Sequence, residues 1–314
     1  MGRVVGIVLL GVGTFLIALA PLVRFQVADR LIAAPADQYG ITKLSADNAQ
    51  YFSAGDLKVL TGTLDITVTT RGDVTDSTDD KVVWDQFTSV SDVTNDRPGI
   101  SMTEFRSAFN KYTGAAVNCC GASIDKQPVK LEGQIFLFPF GAEKKTYKVF
   151  NSSTGAAYDA VFDGEDTVNG LRVYRYVQQV PATKTQTVTA PASVMGIDEA
   201  GDVQLGRWYD GTVTFWVEPT SGVPVRQEQR RHEVLKTEDG VERKPALIAT
   251  AKYTPQTTDD LVKKAIESRD QIGLIKTTIP VVLLVAGLLV LVAGAFLVVR
   301  RRPATSRRGS AGDS

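Results

Sequence analysis

The 314-residue sequence predicts a mainly β protein: a large antiparallel β-rich extracytoplasmic domain, a twisted sheet or open barrel with short helices, tethered by one transmembrane helix at each end. Three observations lead there. Two uncharged runs, 4–23 and 277–299, are each long enough at about 1.5 Å per residue to cross roughly 30 Å of hydrocarbon. Between them, β-branched and aromatic residues alternate with polar ones in short runs bounded by Gly, Asp, Asn and Pro. After the second run come Arg300, Arg301, Arg302, Arg307 and Arg308, a cluster that resists translocation and fixes its side of a membrane.

The elements follow in order. Residues 1–3, with Arg3, form a cytoplasmic N-terminus, and 4–23 the first span. Ala18-Leu19-Ala20 also fits a signal-peptide cleavage site, but Pro21 would follow the cut and the run exceeds the usual apolar core, so the span reads as a retained anchor. Residues 24–276 form the extracytoplasmic domain. Strands are expected at Leu64–Val68, Val82–Phe87, Ile135–Phe138, Tyr147–Phe150, Ala157–Phe162, Leu171–Val177, Val213–Val217, Val223–Leu235 and Leu247–Tyr253. Ser101 and Glu104 form a capping box, and Phe105, Ala108, Phe109 and Tyr112 follow at helical spacing, predicting a short amphipathic helix ended by Gly114. Thr75–Lys81 and Pro181–Pro191 read as exposed loops or ribbons. Thr257 and Asp260 predict the start of a helical stalk with a hinge at Gly273, leading into the second span. Residues 300–314 are the basic cytoplasmic tail.

Composition excludes several classes. Lys and Arg total 35 and Asp and Glu total 35, so there is no basic excess and no nucleic acid is expected as a partner. With most of the flanking charge positive, the domain between the spans is mildly acidic and is not expected to dock on anionic headgroups. One His and two Cys are too few for an ordinary zinc site, and no phosphate loop, nucleophile elbow, metalloprotease or dinucleotide motif occurs. No cofactor, metal or catalytic residue is therefore nominated. The Asp163–Asp166 and Asp198–Asp202 clusters read as turns, and His232 as a solvated strand residue.

Three groups of residues stand out. Cys119 and Cys120 are adjacent in an oxidising compartment, where a vicinal disulfide, two free thiols or intermolecular bonds are open readings. Gly6, Gly13 and Ala20 recur every seven residues, as do Gly287 and Gly294, and such stripes let transmembrane helices approach closely, here as an expected antiparallel pair. Trp216, Glu218, Pro219 and Gly222 mark a turn between two strands.

Gly6–Gly13 with Ala20–Phe25, Trp84-Asp85, Phe138–Gly141 followed by Lys145 and Tyr147, Gly170-Leu171 with Tyr174, and Trp216–Pro219 with Ser221-Gly222 together resemble the actinobacterial porin PorA family over nearly the whole chain. The family name implies a membrane location without specifying an activity. The two-span architecture and Glu218-Pro219-Thr220-Ser221-Gly222 are also similar to class B scavenger receptors, whose β-rich ectodomain carries a lipid tunnel. Here Ser221 stands where those receptors have Thr, and their several disulfides are absent. The expectation is a non-enzymatic, two-pass cell-envelope protein, both termini cytoplasmic, whose outer domain binds or conveys a hydrophobic ligand such as a lipid. A scaffold in cell-wall assembly and a pore-associated protein are the alternatives; the sequence leaves the oligomeric state open.

Overall fold

The computed structural model describes residues 2–300, with side chains from residue 4 onward. It divides into two compact units, residues 1–32 with 270–314 and residues 33–269. In the first unit, α1 (Gly2–Leu22) passes through a π-helical turn (Val23–Val27) into α2 (Ala28–Leu31). Its other half is a π-helical turn (Leu274–Thr278) followed by α4 (Ile279–Val299). Both helical stretches are long and apolar enough to cross a membrane. Arg301, Arg302, Arg307 and Arg308 lie outside the described residues. Arg3 falls in the first turn of α1, and the Arg300 amide closes α4 on the Phe296 carbonyl at 3.0 Å.

The second unit is one antiparallel sheet of twelve strands. They are β1 (Tyr39–Ser53), β2 (Lys58–Gly72), β3 (Lys81–Asp92), β4 (Arg97–Asn110), β5 (Ser123–Ile124), β6 (Gln127–Pro128), β7 (Tyr147–Asn151), β8 (Ala156–Val168), β9 (Leu171–Pro191), β10 (Asp202–Val217), β11 (Pro224–Lys236) and β12 (Glu242–Tyr253). The spatial order β6-β5-β4-β3-β2-β1-β12-β11-β10-β9-β8-β7 pairs the first strand with the last, so the chain walks out along one arm and returns along the other. The sheet curls into a half-barrel. Leu64, Leu44 and Ala251 pack where β1, β2 and β12 meet. Another cluster, with Trp216, Val225 and Val173, is covered by Val262 and Ala265 of α3 (Pro255–Gly273).

Four sequence expectations are corrected. Ser101–Tyr112 is not a helix: β4 runs through it, with Phe105, Ser107 and Phe109 buried and Glu104 exposed. Residues 105 and 109 satisfy the helical and the strand periods alike, and the ladder to β3 from Val82↔Phe109 to Val90↔Ser101 decides for strand. Ile135–Phe138 is irregular, and its backbone bonds go to turns rather than to a ladder. Of the loop and ribbon readings of Pro181–Pro191 the ribbon holds: it is the outer half of β9, paired with β10 from Pro191↔Asp202 to Thr183↔Tyr209. The stalk helix is capped by Thr254, whose Oγ1 accepts from the Thr257 amide at 3.2 Å, with Pro255 at the first position. Gly273, at φ −61°, is ordinary helix and not a hinge.

Candidate functional site

The concave face of the sheet lines a partly open cavity of about 470 Å³. One wall is a strap, residues 131–142, that links the two arms between β6 and β7. Its entry is clamped by Asn118: the Leu131 amide donates to Oδ1 at 2.7 Å and Nδ2 donates to the Leu131 carbonyl at 2.9 Å. The Gln134 amide donates to Lys148 O at 2.7 Å, and the Phe150 amide returns a bond to Gln134 O at 3.0 Å. Phe136, at φ +59°, is held in the left-handed region by rings on several sides, stacking on Trp84 at 5.7 Å and meeting Phe105 edge-on at 5.6 Å.

The strap leaves through the turn between β10 and β11. There the Phe138 amide donates to Gly222 O at 2.9 Å, Gly141 to Thr220 O at 3.1 Å and Ala142 to Pro219 O at 2.7 Å. Glu218 is buried and shapes that turn: its two carboxylate oxygens accept from the Thr220 amide at 3.0 Å and the Ser221 amide at 2.7 Å. Gly222 has φ +71°, and a Cβ there would lie 2.0 Å from Phe138 O, so both conformation and close approach require glycine. The Trp216 Nε1–H donates to Asp166 at 2.9 Å, holding that carboxyl below its ordinary value, and Arg226 lies 4.6 Å over the indole. The structure thus brings Glu218, Pro219 and Gly222 to the exit of the strap. Trp216 instead packs with Val225, Val262 and Ala265.

Beyond the strap the cavity wall is aromatic and amide. Phe138 stacks on Tyr176 at 4.6 Å and meets Phe215 edge-on at 5.7 Å. Six glutamines, Gln38, Gln86, Gln134, Gln178, Gln227 and Gln229, line it, and its single charged lining residue is Lys264 of α3, which is exposed. Further along the concave side of β11, buried Glu233 accepts from Arg207 Nε at 2.8 Å and from Arg231 Nη2 at 2.8 Å. Burial works to raise the Glu233 carboxyl, but the two guanidiniums outweigh it and hold the group below its usual range. Arg231 also donates to Ser153 Oγ at 3.0 Å on the cavity rim. The lining includes Ala33, Ala34 and Pro35, the first residues of this unit, together with Lys264 and Ser268 near its last. The cavity therefore reaches the end of the unit where the chain arrives from one apolar helix and leaves for the other.

Cys119 and Cys120 are joined by a vicinal disulfide in the loop between β4 and β5, directly after Asn118. Arg106 pins that loop, donating Nε to Cys120 O at 2.8 Å while its other nitrogens meet Asp73, Asp76 and Asp85. His232 Nδ1 lies 2.9 Å from Asp210, on the side of β11 away from the cavity. In the first unit, Gly13 faces Gly287 and Gly6 faces Gly294: a Cβ on Gly13 would come within 2.8 Å of Gly287 O, and one on Gly6 within 3.0 Å of Gly294 O. Ala20 is buried in the same unit. The glutamine lining was not nominated from sequence, because a polar residue in an alternating strand reads as solvent-facing until the curl is known.

Two apolar helices of membrane-spanning length at the two ends of the sequence and a curled, strapped sheet that lines a cavity define a β-rich membrane protein. The sequence profile described as Porin PorA matches residues 5–296, and the chain belongs to that family. A protein named Porin PorA from Corynebacterium amycolatum is 24% identical over 225 residues, 58% of this chain and 58% of the relative. Another Porin PorA, from Corynebacterium resistens, is 24% identical over 240 residues, 56% of this chain and 58% of the relative. The chain thus spans little more than half the length of these curated relatives.

Proposed function

We propose that this is a two-pass cell-envelope protein, both termini cytoplasmic, whose extracytoplasmic cavity takes up the hydrocarbon portion of an envelope amphiphile without chemical conversion. The observation that carries the reading is the cavity itself. Its volume of about 470 Å³ lies within the roughly 300–1,000 Å³ of small-molecule sites, and its strap supplies the aromatic wall. Each methylene buried there contributes about 0.8 kcal/mol before the costs of association. Because the lining reaches residues 33–35 and 264–268, the ligand's route is to the end of the domain that is covalently joined to both spans. The arginine cluster that starts at Arg300 supports a cytoplasmic C-terminus.

The test is solvent extraction of the full chain, purified in detergent, with mass spectrometry of the extract and of the native complex. A stoichiometric acyl-chain lipid, displaced by widening Phe138 to Trp, is expected. A clean protein mass that stays unchanged after incubation with extracted envelope lipids would sink the reading.

The family description favours a second reading, a pore-associated role. The convex face of the sheet bears ion pairs such as Arg175–Asp163 at 2.8 Å and Lys252–Glu228 at 3.3 Å, which a lipid-facing barrel wall does not carry. In this reading the sheet serves as an aqueous vestibule and the strands do not cross the bilayer. Conductance across planar bilayers containing the purified full chain distinguishes it from the first.

A further inference from the structure

The polar half of the cavity wall indicates which amphiphile fits, an inference that rests on the cavity reading above. Three neighbouring central strands, β1, β12 and β11, present Thr42, Tyr253, Gln227 and Gln229 to the cavity. The register Leu44↔Tyr253 and Glu228↔Lys252 sets Tyr253 between Leu44 on one side and Gln227 on the other. Among the described residues the side chains of Thr42, Gln227, Gln229 and Tyr253 have no hydrogen-bond partner, and Gln86 uses only its Nε2, toward Thr70 Oγ1 at 3.2 Å. Gln178, on the same cavity wall, is engaged: it donates to Val149 O at 2.7 Å and to Tyr158 O at 3.3 Å and accepts from Asn151. Thr42, Tyr253, Gln227 and Gln229 form one stripe across these three strands. Tyr253 is half-buried, and partial loss of water holds its phenol above the ordinary value. Its hydroxyl and the neighbouring glutamine amides are accessible from the cavity and free to bond the polar part of a ligand.

The chemistry of that stripe is neutral. It offers hydroxyl and amide donors and, equally, amide and hydroxyl acceptors. A carboxylate or phosphate ester accepts only, and would leave the glutamine Oε1 atoms unpaired. The described lining holds no carboxylate and one cation, Lys264, which is exposed; Arg231 and Arg207, which share Glu233, are not among the lining side chains. Burying an unpaired charge is far costlier than burying a hydroxyl that keeps its hydrogen bonds.

We propose that the cavity selects uncharged amphiphiles whose polar part carries hydroxyl groups, with Tyr253, Gln227, Gln229 and Thr42 as the residues that read them. The full chain in amphipol is titrated with 1-oleoylglycerol and with oleate, which share one acyl chain and differ in the charge of the polar end, and occupancy is read by native mass spectrometry. The oleoylglycerol is expected to bind at least about tenfold tighter, the size of one or two hydrogen bonds. Tyr253→Phe and Gln227→Leu are expected to remove that preference by weakening oleoylglycerol binding, with an unchanged circular dichroism spectrum of each variant as the check that the fold is kept. Oleate binding as tightly as oleoylglycerol, or a preference that survives both substitutions, overturns the neutral selection while leaving the cavity reading intact. Binding of neither probe overturns both.

Discussion

On β11, Glu228, Arg230 and His232 face away from the cavity, whereas Gln227 and Gln229, one residue over each time, line it. The convex side is solvated and spends its charges in open ion pairs: Arg230 Nε sits 3.0 Å from Glu228 with 72% of the arginine side chain exposed. The concave side holds its polar groups in a half-buried setting with less access to water. It does so with amides, with aromatic rings, and with one charge cluster in which Glu233 is 4% exposed between two arginines. A single strand thus carries one solution to each solvation problem, alternating every 2 residues. The teaching is that stability rests on the concave side, where packing and pairing are less open to water, while the convex side sets solubility.

The largest effect that tests this contrast comes from the strap. Phe138 is 3% exposed and touches Tyr147, Tyr176 and Phe215. Phe138→Ala removes the ring and opens a void, and is expected to cost about 3–5 kcal/mol, read as a lower denaturation midpoint of the full chain. A loss below about 1 kcal/mol would mean that the strap is not part of the cooperative core.

Next is the buried charge cluster. The Glu233 carboxyl is held below its ordinary value, so its contribution is complete above about pH 4.3, the unfolded value, and is lost as pH falls through the lower native one. Glu233→Gln leaves two arginines without their shared anion and is expected to cost about 3 kcal/mol at neutral pH, with a flatter acid limb in melting temperature against pH. An acid limb identical to that of the unsubstituted chain would show that other carboxylates govern it.

How much of this was readable beforehand differs by feature. Alternation was plain at Leu64–Val68 and at Val213–Val217, and both fall inside strands. Strand β1 escaped notice: a bulge between Ala46 and Ala49, with Asn48 at φ 53°, breaks the period of two halfway along. The apolar run Ile135–Phe140 looked like a strand because burial and β-structure share residue types. Its actual partners are turn carbonyls far away in sequence, which no local pattern reports. The cavity is the extreme case, since its lining comes from ten separate elements and connecting loops, and only the curl of the sheet reveals that a glutamine at position 227 points inward.

The smallest expected effect lies on the convex face. Arg230→Ala breaks the pair with Glu228, but Lys252 stands 3.3 Å from the same carboxylate and water is available to both. Surface pairs of this kind contribute about 0–1 kcal/mol, and less with added salt. The substitution is therefore expected to move the denaturation midpoint by no more than about 0.5 kcal/mol and to leave ligand occupancy unchanged. A loss approaching that of Glu233→Gln would mean that Arg230 is covered in the working protein, and the convex face would then be an interface and no longer the solvated counterpart of the cavity wall.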